Sequence, residues 1–186
     1  TGKICIFTNT GQLHTVKLQD VPFGKFRDKG VPIDNISNYD SQKEYAITVE
    51  SQTSLNLYRI LFVTAQAMMK IVDGGEFDVA KRTVAATKLQ DNDEVISVEI
   101  IREQKQVILQ SAEGYFLRFG LEEVPEKKKS AVGVRGMKLS DKDHVEAVYY
   151  TLAAMPDPDI VYKDKHVELQ RIKPQHRDSK GTKLRL

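Results

Sequence analysis

Apolar residues along this chain fall into short runs set off by turn residues, and the runs recur with a period near fifty residues. Four segments share one order: an apolar run, a turn, a second apolar run, a basic loop, and a small-residue stretch closing on an aliphatic. The first spans 4–16 and closes at Ile36, the second spans 60–71 and closes at Leu89, and the third spans 107–119 and closes at Leu139. The fourth, 160–172, is degenerate and closes at Leu184. The anchor apolars Val16, Ile71, Phe119 and Ile172 lie 55, 48 and 53 residues apart. Short runs rich in β-branched and aromatic residues read as strands, and strand-built repeats of this length read as blades of a propeller-like array.

Residues 95–101 and 145–152 are further β-rich runs, each following an acidic turn (90–94 and 140–143), and 46–50 holds the matching place after the first repeat. A unit therefore has three or four strands: one after the acidic turn, a hairpin, and a short strand at the closing motif. The expected organisation is one domain, 1–186, with blades near 1–40, 41–92, 93–142 and 143–186. The hairpin turns carry Thr10-Gly11 and Glu113-Gly114, where glycine permits the positive φ of a tight turn. The second unit has Gln66-Ala67 there, which predicts a different turn. No segment gives a long helical period. Residues 77–89 pass for a helix on propensity, but their positional match to 122–139 and 23–36 predicts loop and strand. Residues 155–159 form a proline-punctuated loop before the last unit.

A chain of 186 residues is long enough for a real core. No run approaches the roughly 18 apolar residues of a membrane span and none reads as a signal peptide. The single cysteine, Cys5, leaves no internal disulfide and suits a buried strand position in a cytoplasmic protein. The net charge of +2 is uneven: residues 162–186 carry a net +5 and the remainder a net −3. Acids crowd the turns between repeats and bases crowd the loops inside them.

The chain offers little for catalysis. His14, His144, His166 and His176 lack metal-ligand spacing, and one cysteine cannot build a zinc site. Gly74-Gly75 lacks the lysine and spacing of a phosphate loop and reads as a turn. Met68-Met69 reads as hairpin core, and Tyr149-Tyr150 as strand packing. A stand-alone enzyme has no supporting constellation.

The sharpest run lies in the third repeat: Gly114-Tyr115-Phe116-Leu117-Arg118-Phe119-Gly120-Leu121-Glu122-Glu123-Val124-Pro125, then Lys127-Lys128-Lys129-Ser130-Ala131-Val132-Gly133-Val134-Arg135-Gly136-Met137-Lys138-Leu139. This resembles the C-terminal domain of the A subunit of bacterial type IIA DNA topoisomerases, DNA gyrase and topoisomerase IV. That family repeats a strand, a turn glycine, Lys/Arg-aromatic, Leu-x-Glu-Phe/Val, a basic loop and Gly-x-x-Gly/Ala-x-Lys-Leu, followed by an acidic turn and a Val-rich strand. All of these stand between Val107 and Val148. The second unit matches through Lys70-Ile71, Glu76-Phe77, Lys81-Arg82 and Lys88-Leu89. The first matches through Gly11, Leu18, Val21-Pro22-Phe23, Lys29-Gly30 and Ile33, and the fourth through Arg171-Ile172 and Lys180-Gly181-Thr182-Lys183-Leu184.

The resemblance implies an all-β fold, a β-pinwheel whose blades exchange a strand with a neighbour. About four blades stand here, where the family usually has five or six. It implies an accessory domain that binds and bends or wraps duplex DNA on a basic outer rim, beside the cleavage gate of an ATP-dependent enzyme. The implied partners are double-stranded DNA, the ATPase B subunit and the remainder of the A subunit, with no membrane. No cofactor is implied in this chain, ATP and Mg belonging to other domains or subunits. A bacterial, nucleoid-associated cytoplasmic location follows. The gyrase members also carry a Gln-Arg-Arg-Gly-Gly-x-Gly box needed for wrapping, and nothing in this chain matches it.

The physics of such an array agrees with that role. Corresponding residues of each blade stand at one radius, so loops that are basic once per repeat form a curved positive track. Phosphate contacts along it release counterions, need no base readout, and favour bent DNA. The candidates are Lys25, Arg27 and Lys29; Lys70, Lys81, Arg82 and Lys88; Arg118, Lys127, Lys128, Lys129, Arg135 and Lys138; and Arg171, Lys173, Arg177, Lys180 and Lys183. The plain alternative is a set of solvated surface bases. For the Arg or Lys beside each anchor apolar, another alternative is pairing with an acid of the neighbouring blade. A protein-interaction propeller working through the acidic turns is the competing function.

Overall fold

The computed structural model describes residues 2–22, 30 and 32–185. The first unit opens with a hairpin of β1 (Lys3–Thr8) and β2 (Gln12–Lys17), followed by the short helix α1 (Ile33–Ile36) and β3 (Ala46–Ser51). The second has helix α2 (Gln52–Leu57), the hairpin β4 (Arg59–Thr64) and β5 (Met68–Asp73), then β6 (Thr83–Ala85) and β7 (Val95–Ile101). The third repeats this as β8 (Gln104–Ser111), β9 (Tyr115–Gly120), β10 (Val134–Arg135) and β11 (Val145–Leu152). The fourth keeps β12 (Asp159–Tyr162), β13 (Lys165–Glu168) and β14 (Thr182–Lys183). Helix α2, which the strand pattern does not predict, is capped by the Ser51 hydroxyl accepting from the Ser54 N–H.

Among the described residues the named strands pair antiparallel, in sheets of order β3-β1-β2-β6, β7-β4-β5-β10 and β11-β8-β9-β14, with a separate β12-β13 ribbon. Each closing strand, β6, β10 and β14, thus crosses to the sheet of the preceding hairpin. This is the strand exchange of a β-pinwheel. The sheets also cut across the expected blade limits at 40/41, 92/93 and 142/143, because β3, β7 and β11 pair with the hairpin before them. The acidic turns explain the difference. Asp93 accepts from the Gln66 N–H and Asp143 from the Glu113 N–H, so each turn folds back onto its own unit's hairpin and marks no boundary.

The hairpin turns are one design. Gly11, Ala67 and Gly114 each donate to the carbonyl of Thr8, Thr64 and Ser111, and each has positive φ (79°, 66° and 93°). The hydroxyls of Thr8, Thr64 and Ser111 then accept from the first N–H of the returning strand. Ala67 therefore makes the same turn as the glycines, against the sequence expectation, at a backbone cost of roughly 1–2 kcal/mol. The hydroxyl and the ladder on either side specify the turn strongly enough to hold it.

Burial on both faces explains why the hairpin strands read as unbroken apolar runs rather than alternating ones. In the second sheet Ile60, Phe62 and Val72 face the first sheet, packing with Cys5, Phe7, Leu13 and Phe77. Leu61, Val63, Met69 and Ile71 face the third, meeting Val107, Leu109, Leu117 and Phe119. Phe7, Phe62 and Phe77 pack ring against ring at centroid distances of 5.2–5.8 Å, each pair adding about 0.5–1.5 kcal/mol beyond burial. Ile108 and Phe116 face the last ribbon through Ile160, Tyr162 and Val167. Backbone stitches join the sheets as well: Val95 N–H donates to Asn9 O and Val145 N–H to Ala65 O, both at 2.8 Å.

Candidate nucleic-acid interface

Strand exchange places the basic loops. Each crossing segment leaves its own unit and docks at the edge of the preceding sheet, in a common register. Leu13 pairs with Val84, Met69 with Val134 and Phe116 with Thr182. Ala85, Arg135 and Lys183 are therefore equivalent, as are Arg82 and Lys180. Upstream, parallel bridges join Ile71 to Glu126 and Arg118 to Pro174. These make Lys128 equivalent to His176, and Lys129 to Arg177.

Neighbouring crossing segments also touch. Lys88 N–H donates to Ala131 O, Lys138 N–H to Ser179 O at 2.9 Å, and Asp178 N–H to Gly136 O at 2.8 Å. The bases they carry thus stand on a continuous hydrogen-bonded band. Lys81, Arg82, Lys88, Lys127, Lys128, Arg135, Lys138, Arg171, Lys173, Lys180 and Lys183 are exposed on it, and Lys129 and Arg177 are half-buried. Lys25, Arg27 and Lys29 lie outside the described residues.

Two candidates must be corrected. Lys70 is fully buried, and its Nζ donates to the carbonyls of Lys128, Lys129 and Ala131 at 2.9, 3.0 and 2.6 Å. Burial pushes its pKa down to about 8, against an upward pull from Glu76. Arg118 is 6% exposed and donates to Ile172 O, Leu169 O, Gln106 Oε1 and Asp157 Oδ2. No phosphate can reach either group. Both sit mid-strand in sheets covered on two faces, so a base there must find internal acceptors. Arg118 takes the alternative of an acid in the neighbouring unit, and Lys70 takes carbonyls.

The exposed bases differ in their partners. Arg135 is paired with Asp178, Arg171 with Glu168 at 2.7 Å, and Lys128 lies 3.9 Å from Glu76. Lys180 and Lys183 instead stand over the Tyr115 ring, 4.8 and 5.5 Å from its centroid. Among the described residues, Lys81, Lys88, Lys127, Lys138, Lys180 and Lys183 have no carboxylate within ion-pair distance. The arrangement can hold a polyanion by charge, with several donors at a repeating spacing. Three acids lie within it, Glu76, Glu123 and Asp178; the first two were read only as part of the Leu-x-Glu-Phe/Val element, and the contact of none of the three with the basic segments was foreseen. For the first two a signal existed: each precedes an apolar residue, Phe77 or Val124, at the same place in its unit.

Elsewhere the side chains serve packing. Cys5 is buried, its thiol pushed up to about 12 by burial, and it donates to Gln52. His14 is held between Thr83 and Glu44 at 2.8 Å on each side. Tyr150 Oη meets Ser97 Oγ, and Tyr149 donates to Gln110. Among the described residues no cluster of His, Cys, Asp or Glu is placed to hold a metal ion, and no helix is long and apolar enough to cross a membrane.

A family profile described as "DNA gyrase C-terminal domain, beta-propeller" matches residues 2–41, 58–102 and 105–151. The DNA gyrase A protein of Lawsonia intracellularis is 31% identical over 146 residues, covering 77% of this chain and 18% of that protein. Its counterpart in Klebsiella oxytoca is 29% identical over 143 residues, 76% of this chain and 16% of that one. The chain thus spans less than a fifth of these relatives. Among solved structures, the C-terminal domain of a DNA topoisomerase IV superposes with a TM-score of 0.84 at 23% identity, over 98% of this chain and 58% of that one. A DNA gyrase A C-terminal domain gives 0.73 at 24% identity, over 97% and 59%.

Proposed function

The chain belongs to the DNA gyrase C-terminal domain family, and from that membership and the geometry of the crossing segments we propose that it is a DNA-binding and DNA-bending module of a type IIA topoisomerase A subunit. It holds duplex phosphates on its exposed bases and guides the bound segment towards strand passage in the parent enzyme. Its partners on this reading are double-stranded DNA, the ATPase B subunit and the remainder of the A subunit, in a bacterial cytoplasmic enzyme. ATP and Mg act on those other parts.

The observation that carries the reading is the recurrence of exposed bases at equivalent positions of the crossing segments: Arg135 and Lys183 on neighbouring segments, and Arg82 and Lys180 on the first and third, with Val132 at that place between them. Equivalent positions on a repeating array match the repeating charge of a duplex, and contacts to phosphates alone favour no particular sequence. A protein-interaction propeller has less to draw on, because Asp93 and Asp143 of the acidic turns are engaged by their own hairpins.

The test is binding of a fluorescent duplex of about forty base pairs between roughly 50 and 200 mM salt. A steep linear log–log fall in affinity, alike for unrelated sequences, is the expected result. No binding at the lowest salt would overturn the reading.

A further inference from the structure

We propose that Glu76 and Glu123 are positioning residues of the DNA-binding surface: each carboxylate takes a backbone N–H of the incoming crossing segment and so fixes where that segment's basic side chains point. The proposal rests on the DNA-binding reading above and deepens it.

Glu76 stands on the 3-10 turn Gly74–Phe77 and accepts from the Lys129 N–H at 3.1 Å. Glu123 stands on the 3-10 turn Leu121–Glu123 and accepts from the Arg177 N–H at 3.0 Å. The two bonds are the same stitch. Each acid lies five residues beyond the strand residue that bridges the crossing segment, Ile71 or Arg118. Each target lies three residues beyond the bridged partner, Glu126 or Pro174. In both units a basic residue of the segment also faces the acid: Lys128 Nζ at 3.9 Å and His176 Nδ1 at 3.3 Å. The stitch persists although Lys128-Lys129 and His176-Arg177 are unlike in sequence.

A carboxylate inside a phosphate-binding surface opposes DNA by charge alone. Its recurrence at one offset in two units therefore calls for a second role, and the backbone bond supplies it. The first loop is pinned from both sides, since Glu76 holds an N–H while the Lys70 ammonium holds the carbonyls of Lys128, Lys129 and Ala131. In the second, the Arg177 guanidinium donates to Glu123 O at 2.8 Å and Arg135 O at 2.7 Å. Loops fixed in this way present their bases without the ordering cost that a flexible loop meets on binding.

Two substitutions of equal charge separate positioning from electrostatics. Glu76→Gln keeps an oxygen acceptor for the Lys129 N–H, whereas Glu76→Ala removes it. If charge alone mattered, both would tighten duplex binding equally. The expected result is that Glu76→Ala binds the forty-base-pair duplex about 3- to 10-fold more weakly than Glu76→Gln, the worth of one hydrogen bond. Amide exchange at Lys129 should accelerate in the alanine variant alone. The pair Glu123→Gln and Glu123→Ala, read at Arg177, repeats the test should one alanine variant fail to fold. Equal affinities within both pairs, with wild-type binding intact, would overturn the positioning role and leave the DNA reading standing. Failure of both alanine variants to fold would overturn it too, since the carboxylates would then hold the fold rather than the interface. Absence of wild-type binding would remove both readings.

Discussion

The Asp178 carboxylate closes on the Arg135 guanidinium of the neighbouring crossing segment, accepting from Nε at 2.5 Å and from Nη2 at 3.2 Å. The Arg135 hydrogen bonds hold the Asp178 carboxyl below the usual carboxylate range, outweighing its slight burial, with Lys138 and Arg177 adding to the effect. Asp178 is thus paired with one base and lies in the field of two more. At the equivalent position on the next sheet, Lys183 rests over Tyr115 instead. Asp178→Asn should therefore expose a phosphate site that the protein fills with its own anion. Asparagine tolerates the left-handed backbone of this position (φ 68°) as aspartate does. Duplex affinity should rise and the log–log salt slope steepen by about one. An unchanged slope in a fluorescence-anisotropy titration would mean that Arg135 meets no phosphate.

Reversing the charge of the first pinned loop should act in the opposite direction. Lys127 and Lys128 are exposed and Lys129 is half-buried on a backbone held by Glu76. The triple substitution Lys127→Glu, Lys128→Glu and Lys129→Glu should weaken binding for every duplex sequence. It should also reduce the salt slope by up to about three, one for each phosphate that the loop no longer neutralises. Unchanged affinity in the same titration would move the DNA surface elsewhere on the band.

Gly133 lies where a crossing segment enters the preceding sheet. Its φ is +103°, and a Cβ would lie 2.3 Å from the Met69 carbonyl oxygen. Gly181 repeats this with φ +87° and 2.6 Å to Phe116 O, and Met69 and Phe116 are equivalent strand residues. Either backbone must move to admit a methyl group. Gly133→Ala should lower stability by about 2–4 kcal/mol in urea denaturation. Gly75→Ala, whose Cβ would meet only the Asp73 side chain at 3.3 Å, should stay within about 1 kcal/mol. A small effect at Gly133 would argue that β10 docks loosely.

The repeat, the strands and the glycine turns were legible because hydrophobic period and turn chemistry are local. Partnership was not. Nothing in Val134-Arg135 says that its hydrogen bonds go back to Met68 and Met69 rather than to its own hairpin. Residues 90–94 read as a boundary because acids favour solvent, yet Asp93 is engaged by the Gln66 turn. The helix 52–57 rests on a Ser51 cap and on Leu55, too short a pattern to show a helical period. Among the basic candidates, charge alone could not separate Lys127 from Lys70, and only the place of Lys70 beside the anchor Ile71 opened the alternative of an internal partner. A further clue was present. Lys70 interrupts the apolar run Met69-Ile71-Val72, and in a sheet covered on both faces any residue inside such a run is buried.

Lys70 itself gives a pH test. In the folded protein burial lowers its pKa to about 8, whereas the unfolded chain has the ordinary value of 10.5. Between those values the unfolded chain binds a proton that the folded one does not, so raising the pH through this window favours folding. Lys70→Met should be less stable than wild type at pH 7 by about 1–3 kcal/mol, because three carbonyls lose their donor. Wild type should then gain relative to the variant as the pH rises from 7 to 10, widening the gap by up to about 3 kcal/mol. Comparing the two proteins cancels the contributions of the groups that they share. The opposing influence is the set of three acceptors at 2.6–3.0 Å, of which a neutral amine could satisfy only two. Urea denaturation of both proteins at several pH values decides between them. A gap that does not change with pH would mean that the carbonyls offset burial fully and hold the ammonium at its ordinary value.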